Sequence, residues 1–219
     1  MPGVSREDIL GRVRAAFRRG KVVGPDRVDH SSARIVADGD LLGRFTQMAS
    51  DAGMQVHQAA DARQAARIVA DVVRQAGARR VLIEPGTFVA RGPIVEALAG
   101  GDLELVDEPS DDEVLFSADV GITGVCGAIA ETGSLVLRAG PETPRMTSLT
   151  PPVHVALLAC GQIVPDLLDW PALHAPGRGL AGAYEVLITG PSKTADIELN
   201  LVTGVHGPGQ VHVVVVRDR

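Results

Sequence analysis

Aromatic residues and cysteines are both scarce in this chain, and each shortage narrows what it can be. Phe, Trp and Tyr make up 3 %, too few for the stacking platforms that hold single-stranded nucleic acid. The two cysteines, Cys126 and Cys160, form no CxxC pair and belong to no Cys/His cluster. Ligand count therefore excludes a zinc ribbon or a self-contained iron–sulfur cluster. A disulfide framework is not expected either, in keeping with a reducing compartment. The formal charge is −6 and no dense basic block appears, so nucleic acid and acidic membrane surfaces are not expected partners. No apolar run approaches a membrane span, and the stretch Met1 to Asp8 lacks the apolar core of a secretory signal. These absences together predict a cytoplasmic protein.

What is present is a globular composition: 219 residues, 45 % of them hydrophobic, enough for one domain with an appendage. Ile9, Leu10, Val13, Ala16 and Phe17 fall on one helical face, and Leu41, Leu42, Phe45, Met48 and Ala49 repeat the spacing. Both precede any convincing strand, so residues 1–50 read as an N-terminal helical appendage and 51–219 as an α/β domain. In that domain Asp61 opens a strong helix that stops at Gly77. The short apolar run Val81-Leu82-Ile83 suits a strand buried on both faces, His154 to Leu158 and the β-branched run Val211 to Val216 also read as strands, and the alternation with helices argues a mostly parallel sheet. The alternation is read as continuing through Asp119 to Thr123 and Gly133 to Leu137. Val164 to Leu168 reads as a short helix with Pro165 in its first turn.

The most informative stretch is Ile188 to Glu198. Val186-Leu187-Ile188 breaks at Gly190-Pro191 into Ser192-Lys193-Thr194-Ala195-Asp196-Ile197-Glu198, read as strand, turn and helix ending at Gly204. Polar turns at the carboxyl ends of strands bind ligands, and helix N-termini attract anions. Two further turns, Gly204 to Gly209 and Ala130 to Gly133, are expected to line the same pocket.

Neither phosphate-loop pattern survives inspection. Gly190 to Thr194 lacks the glycine before Lys193, and Gly121 to Gly127 is not GxGxxG. A looser anion cradle at Ser192, Lys193 and Thr194 remains, set against a plain helix cap. Glu131, held by the turn at Gly133, is the candidate catalytic nucleophile or base, with an exposed turn carboxylate as the alternative. Thr123, Gly124, Thr132, Asp196 and His206 complete the candidate ligand-binding set. Asp196, Glu198 and His206 match no metal spacing, and no metal site is expected. Cys126 and Cys160 read as packing residues.

Gly121-Ile122-Thr123, Ala130 to Ser134, Pro151-Pro152-Val153-His154, Gly190 to Glu198 and Gly204 to Pro208 together resemble the signature blocks of the LutC/YkgG branch of the lactate-utilisation (LUD) domain family. The resemblance covers about residues 50 to 219. It implies a NagB/RpiA/CoA-transferase-like three-layer α/β fold with a mostly parallel sheet. It also implies a part in oxidation of L-lactate to pyruvate beside two iron–sulfur partner proteins, this chain being the component without cluster ligands. Glu131-Thr132-Gly133 is similar to the Glu-Asn-Gly turn of CoA transferases but has Thr in place of Asn. Three readings stand open: an accessory component binding a small anion, a transferase or isomerase using Glu131, and a metabolite-sensing regulatory module.

Overall fold

The computed structural model describes residues 5–19, 39–85, 88–100, 102–107, 112–140, 145–170, 184–195, 201–204 and 206–217. By internal contacts the chain divides into Met1–Arg34 and Ile35–Arg219. The first unit contains α1 (Arg6–Arg19), with Glu7 and Asp8 in its first turn, where the helix dipole favours acids. The second contains α2 (Leu41–Asp51), β1 (Gln55–Ala59), α3 (Ala62–Gln75), β2 (Arg80–Ile83), α4 (Arg91–Leu98), β3 (Glu104–Val106) and α5 (Asp112–Phe116). It continues with β4 (Val120–Gly124), β5 (Gly127–Ile129), β6 (Ser134–Ala139), α6 (Met146–Leu149), β7 (Val153–Ala159), β8 (Ile163–Val164), β9 (Tyr184–Ile188), β10 (Lys193–Ala195), β11 (Leu201–Thr203) and β12 (Gln210–Val216).

Six strands form one parallel sheet in the order β1-β12-β7-β4-β2-β3. Its central strands carry the unbroken apolar runs seen in the sequence, and every residue of β7 is buried, as a strand covered on both faces requires. Alternate residues feed two cores. On one face Val155, Leu157, Val214 and Val216 pack with Val69 and Val73 of α3 and Ile94 of α4. On the other, Ala156, Leu158, Val213 and Val215 pack with Phe45 and Ala49 of α2 and Leu135 and Leu137 of β6. The resulting three-layer α/β architecture agrees with the expected fold class.

Helix ends follow their sequence signals. Asp61 caps α3 by accepting from Gln64 N–H at 2.7 Å, and Asp40 caps α2 through Gly43 N–H at 2.8 Å. Such caps contribute about 1 kcal/mol each. Helix α2, assigned by sequence to the appendage, lies in the larger unit, with Phe45 and Ala49 fully buried.

Three local expectations are corrected. First, β6 and β9 do not extend the parallel sheet. They pair antiparallel in a second sheet of order β8-β5-β6-β9. Second, the segment after Pro191 opens as a strand: Lys193–Ala195 pairs antiparallel with Leu201–Thr203. A short β-branched and small-residue run carries no periodicity long enough to decide between helix and strand. Third, Ile163–Val164 is a strand pairing with β5, and only Leu167–Asp169 forms a 3-10 turn, capped by Asp166.

Candidate functional site

Two places in the second unit combine polar chemistry with concave or crevice geometry. The first follows from topology. From β2 the chain moves outward through α4 to β3, whereas β4 lies on the opposite side of β2. The switch point of the parallel sheet thus falls between the carboxyl ends of β2 and β4, where ligands of open α/β sheets bind. Glu84 follows β2, and its Oε2 accepts a hydrogen bond from Gly124 N–H at 2.7 Å. Burial raises the Glu84 carboxyl above its usual range, against the opposing pull of the Gly124 N–H and the nearby Arg91. The predicted residue Gly124 is required here sterically, because a Cβ would lie 2.3 Å from Cβ of Phe88.

The second place is a cavity of about 220 Å³ between β9, α6 and the start of β7. Leu149, Val186, Ile188, Pro208 and Val211 supply an apolar wall, and Ser148, Thr189, Ser192, His154 and His206 supply polar groups. Among the described residues that line it, none is Lys, Arg, Asp or Glu. His206 is exposed, whereas His154 is fully buried. The polar groups therefore span the cavity from solvent to interior.

His154 belongs to β7 but faces the second-sheet side, next to Thr123. Its Nε2 lies 2.9 Å from Thr123 Oγ1, and its Nδ1 is one of three buried side-chain polar atoms among the described residues with no partner. Desolvation lowers its pKa to about 4, so the ring is neutral at pH 7. The contrast is with His212 on the opposite face of the sheet. Its Nδ1 lies 3.1 Å from His57 Nε2, and its own Nε2 lies 3.5 Å from Gln55 Nε2. Burial, with a smaller contribution from His57, also lowers His212 to about 4.

The predicted site residues separate into groups. Ser192 and His206 line the cavity. Thr123 sits behind it, buried, as the partner of His154. Thr132 is exposed, yet its hydroxyl lies 2.7 Å from Ser134 Oγ, which lies 2.6 Å from Thr189 Oγ1 on the cavity wall. Two of the three turns thus meet at the cavity, and the third reaches it through a chain of hydroxyls. Glu131 is half-buried, with its N–H donating to the Pro165 carbonyl at 3.0 Å, and is not among the described residues lining the cavity. Its turn is fixed by Gly133, whose φ is +65° and whose added Cβ would lie 2.2 Å from Ala49 N of α2.

Lys193 points elsewhere. Its exposed ammonium donates to the Ala52 carbonyl at 3.2 Å, at the C-terminal end of α2. That is the negative pole of the helix dipole, where a cation is favoured. Thr194 lies in β10, and Asp196 lies outside the described residues. Cys126 is half-buried, and burial pushes its thiol pKa up, which disfavours a nucleophilic thiolate. No group of three or more His, Cys, Asp or Glu among the described residues could hold a metal ion. Among those residues no helix is long and apolar enough to cross a membrane.

Sequence reasoning missed His154, Thr189 and Ser148 as cavity residues. For His154 a signal existed: an imidazole inside an otherwise apolar buried run must find partners.

Similarity to known proteins agrees with this architecture. The chain is 39 % identical over 115 residues to Lactate utilization protein C of an Exiguobacterium species, covering 48 % of this chain and 47 % of that protein. It is 37 % identical over 107 residues to Lactate utilization protein C of Bacillus subtilis, covering 47 % and 44 %. Each match thus takes in about half the length of the relative. A crystal structure of a DUF162 family protein from Deinococcus radiodurans superposes with a TM-score of 0.62 at 24 % identity, over 83 % of this chain and 99 % of that one; this similarity speaks for the fold alone. Residues 42–216 match the model of the LUD domain, and the protein belongs to the LUD domain family.

Proposed function

We propose that this protein is a component of a lactate-utilisation system. In this reading it acts beside iron–sulfur partner proteins in oxidation of L-lactate to pyruvate, and holds a small anionic metabolite in the cavity beside β9. The observation that carries the reading is its 37–39 % identity to relatives named for lactate utilisation. Two isolated cysteines cannot hold a cluster, so in this reading the redox chemistry belongs to the partner proteins. The cavity suits a metabolite smaller than a drug-sized ligand. Ser192 and the exposed His206 offer hydrogen bonds to an anion at its mouth.

Deletion of the gene tests the proposal. The reading expects growth on L-lactate as sole carbon source to fail and growth on pyruvate to continue. Affinity purification of the tagged protein from lactate-grown cells is expected to bring down cysteine-rich iron–sulfur proteins. Undiminished growth of the deletion strain on L-lactate would overturn the reading.

A further inference from the structure

The unpartnered nitrogen of His154 says more about what the cavity holds. A buried imidazole nitrogen without a hydrogen bond is costly, and native proteins leave few such groups unexplained. His212 shows how this fold treats a structural histidine: both its ring nitrogens have side-chain neighbours within hydrogen-bond range. His154 has one such neighbour, Thr123, its Nδ1 has none, and the residue is among those lining the cavity.

The remainder of the wall restricts the ligand. Apolar side chains dominate it, and no formally charged side chain stands among its described residues. Among the described residues nothing at the inner end supplies a countercharge to a carboxylate, whose desolvation there is strongly unfavourable. The exposed mouth, beside His206 and Ser192, is where a charge stays hydrated.

We propose that this cavity is a binding site for a small molecule with a compact apolar body, one that presents an uncharged hydrogen-bonding group to His154 Nδ1 and keeps any charge at the mouth. This assignment rests on the cavity being the ligand site of the reading above. It deepens that reading by stating which end of the ligand enters first. Thr123 can donate to Nε2 or accept from it, so Nδ1 is either donor or acceptor. A primary amide satisfies both cases, which makes isobutyramide the natural probe and isobutyrate its charged isostere.

The test uses the full chain labelled with 15N-histidine at pH 7.5. Isobutyramide at millimolar concentration is expected to move the His154 Nδ1 resonance saturably, and isobutyrate to leave it in place. In His154→Gln the side-chain amide takes the position of Nε2 toward Thr123 and nothing replaces Nδ1. Ligand-observed saturation transfer should then report isobutyramide binding at least about tenfold weaker. Absence of a saturable shift in the wild-type protein, an equal shift with isobutyrate, or undiminished binding in His154→Gln would each overturn the proposal. The wild-type measurement stands whether or not the variant folds. These outcomes are also independent of growth on lactate, so failure of the site and failure of the cellular role are told apart.

Discussion

Thr123 Oγ1 and His154 Nε2 lie 2.9 Å apart on adjacent parallel strands, both side chains buried. This contact positions the buried ring of a residue that lines the cavity. It also settles which nitrogen of His154 remains for anything else. Thr123→Val keeps the shape of the side chain and removes the hydroxyl, leaving both ring nitrogens buried without a partner. The expected cost is roughly 1–3 kcal/mol of stability, measured by urea denaturation at pH 7.5, with the denaturant slope unchanged.

Acid should weaken the fold through the same ring. Folding lowers the pKa of His154 from 6.5 to about 4, so below pH 6.5 the unfolded chain binds a proton that the folded chain does not. Stability is therefore full above about pH 6.5 and falls as pH drops toward 4. His212, likewise lowered to about 4 by burial and by His57, adds a contribution of the same sign. In His154→Gln the loss of stability between pH 6.5 and pH 4.5 should be visibly shallower than in the wild type. Equal slopes would show that the ring is not held neutral.

Gly133 tests how the Glu131 turn is seated. Its φ of +65° and the 2.2 Å approach of an added Cβ to Ala49 N leave no room for a side chain. Gly133→Ala should destabilise the protein by at least about 2 kcal/mol. The companion change Gly77→Ala has positive φ but open space around it. Strain alone acts there, so a loss of about 1 kcal/mol is expected. Thermal melts of the two variants should rank in that order.

Lys193 is expected to act on stability. Its ammonium meets the Ala52 carbonyl at the end of α2, an exposed contribution of about 0.3–1 kcal/mol that salt screens. Lys193→Met should lower the melting temperature slightly in dilute buffer, with the difference shrinking in 0.5 M NaCl. A difference that does not respond to salt would contradict the assignment.

The parts of this fold that were legible from sequence are those whose residues act locally. Asp61 announces the start of α3, Val81-Leu82-Ile83 announces a strand buried on both faces, and the β-branched run Val211 to Val216 announces a strand. What was not legible depends on partners distant in the chain. The run from Ser134 to Leu137 looks like another parallel strand until it pairs antiparallel with Tyr184–Ile188 about fifty residues later. Lys193 reads as an anion anchor because its neighbours are Ser and Thr. Its actual acceptor, Ala52, is 141 residues away. His154 was visible as part of a family-like block, but nothing local revealed that Thr123 would take one ring nitrogen and leave the other facing no partner.

Whether the cavity lined by His154 serves lactate utilisation is read out by complementation. A strain lacking the gene would carry either the wild-type chain or His154→Gln, at equal soluble protein levels, with growth on L-lactate measured against growth on pyruvate. The wild type is expected to restore growth on lactate and His154→Gln is expected not to, both strains growing equally on pyruvate. Full restoration by His154→Gln would contradict this expectation.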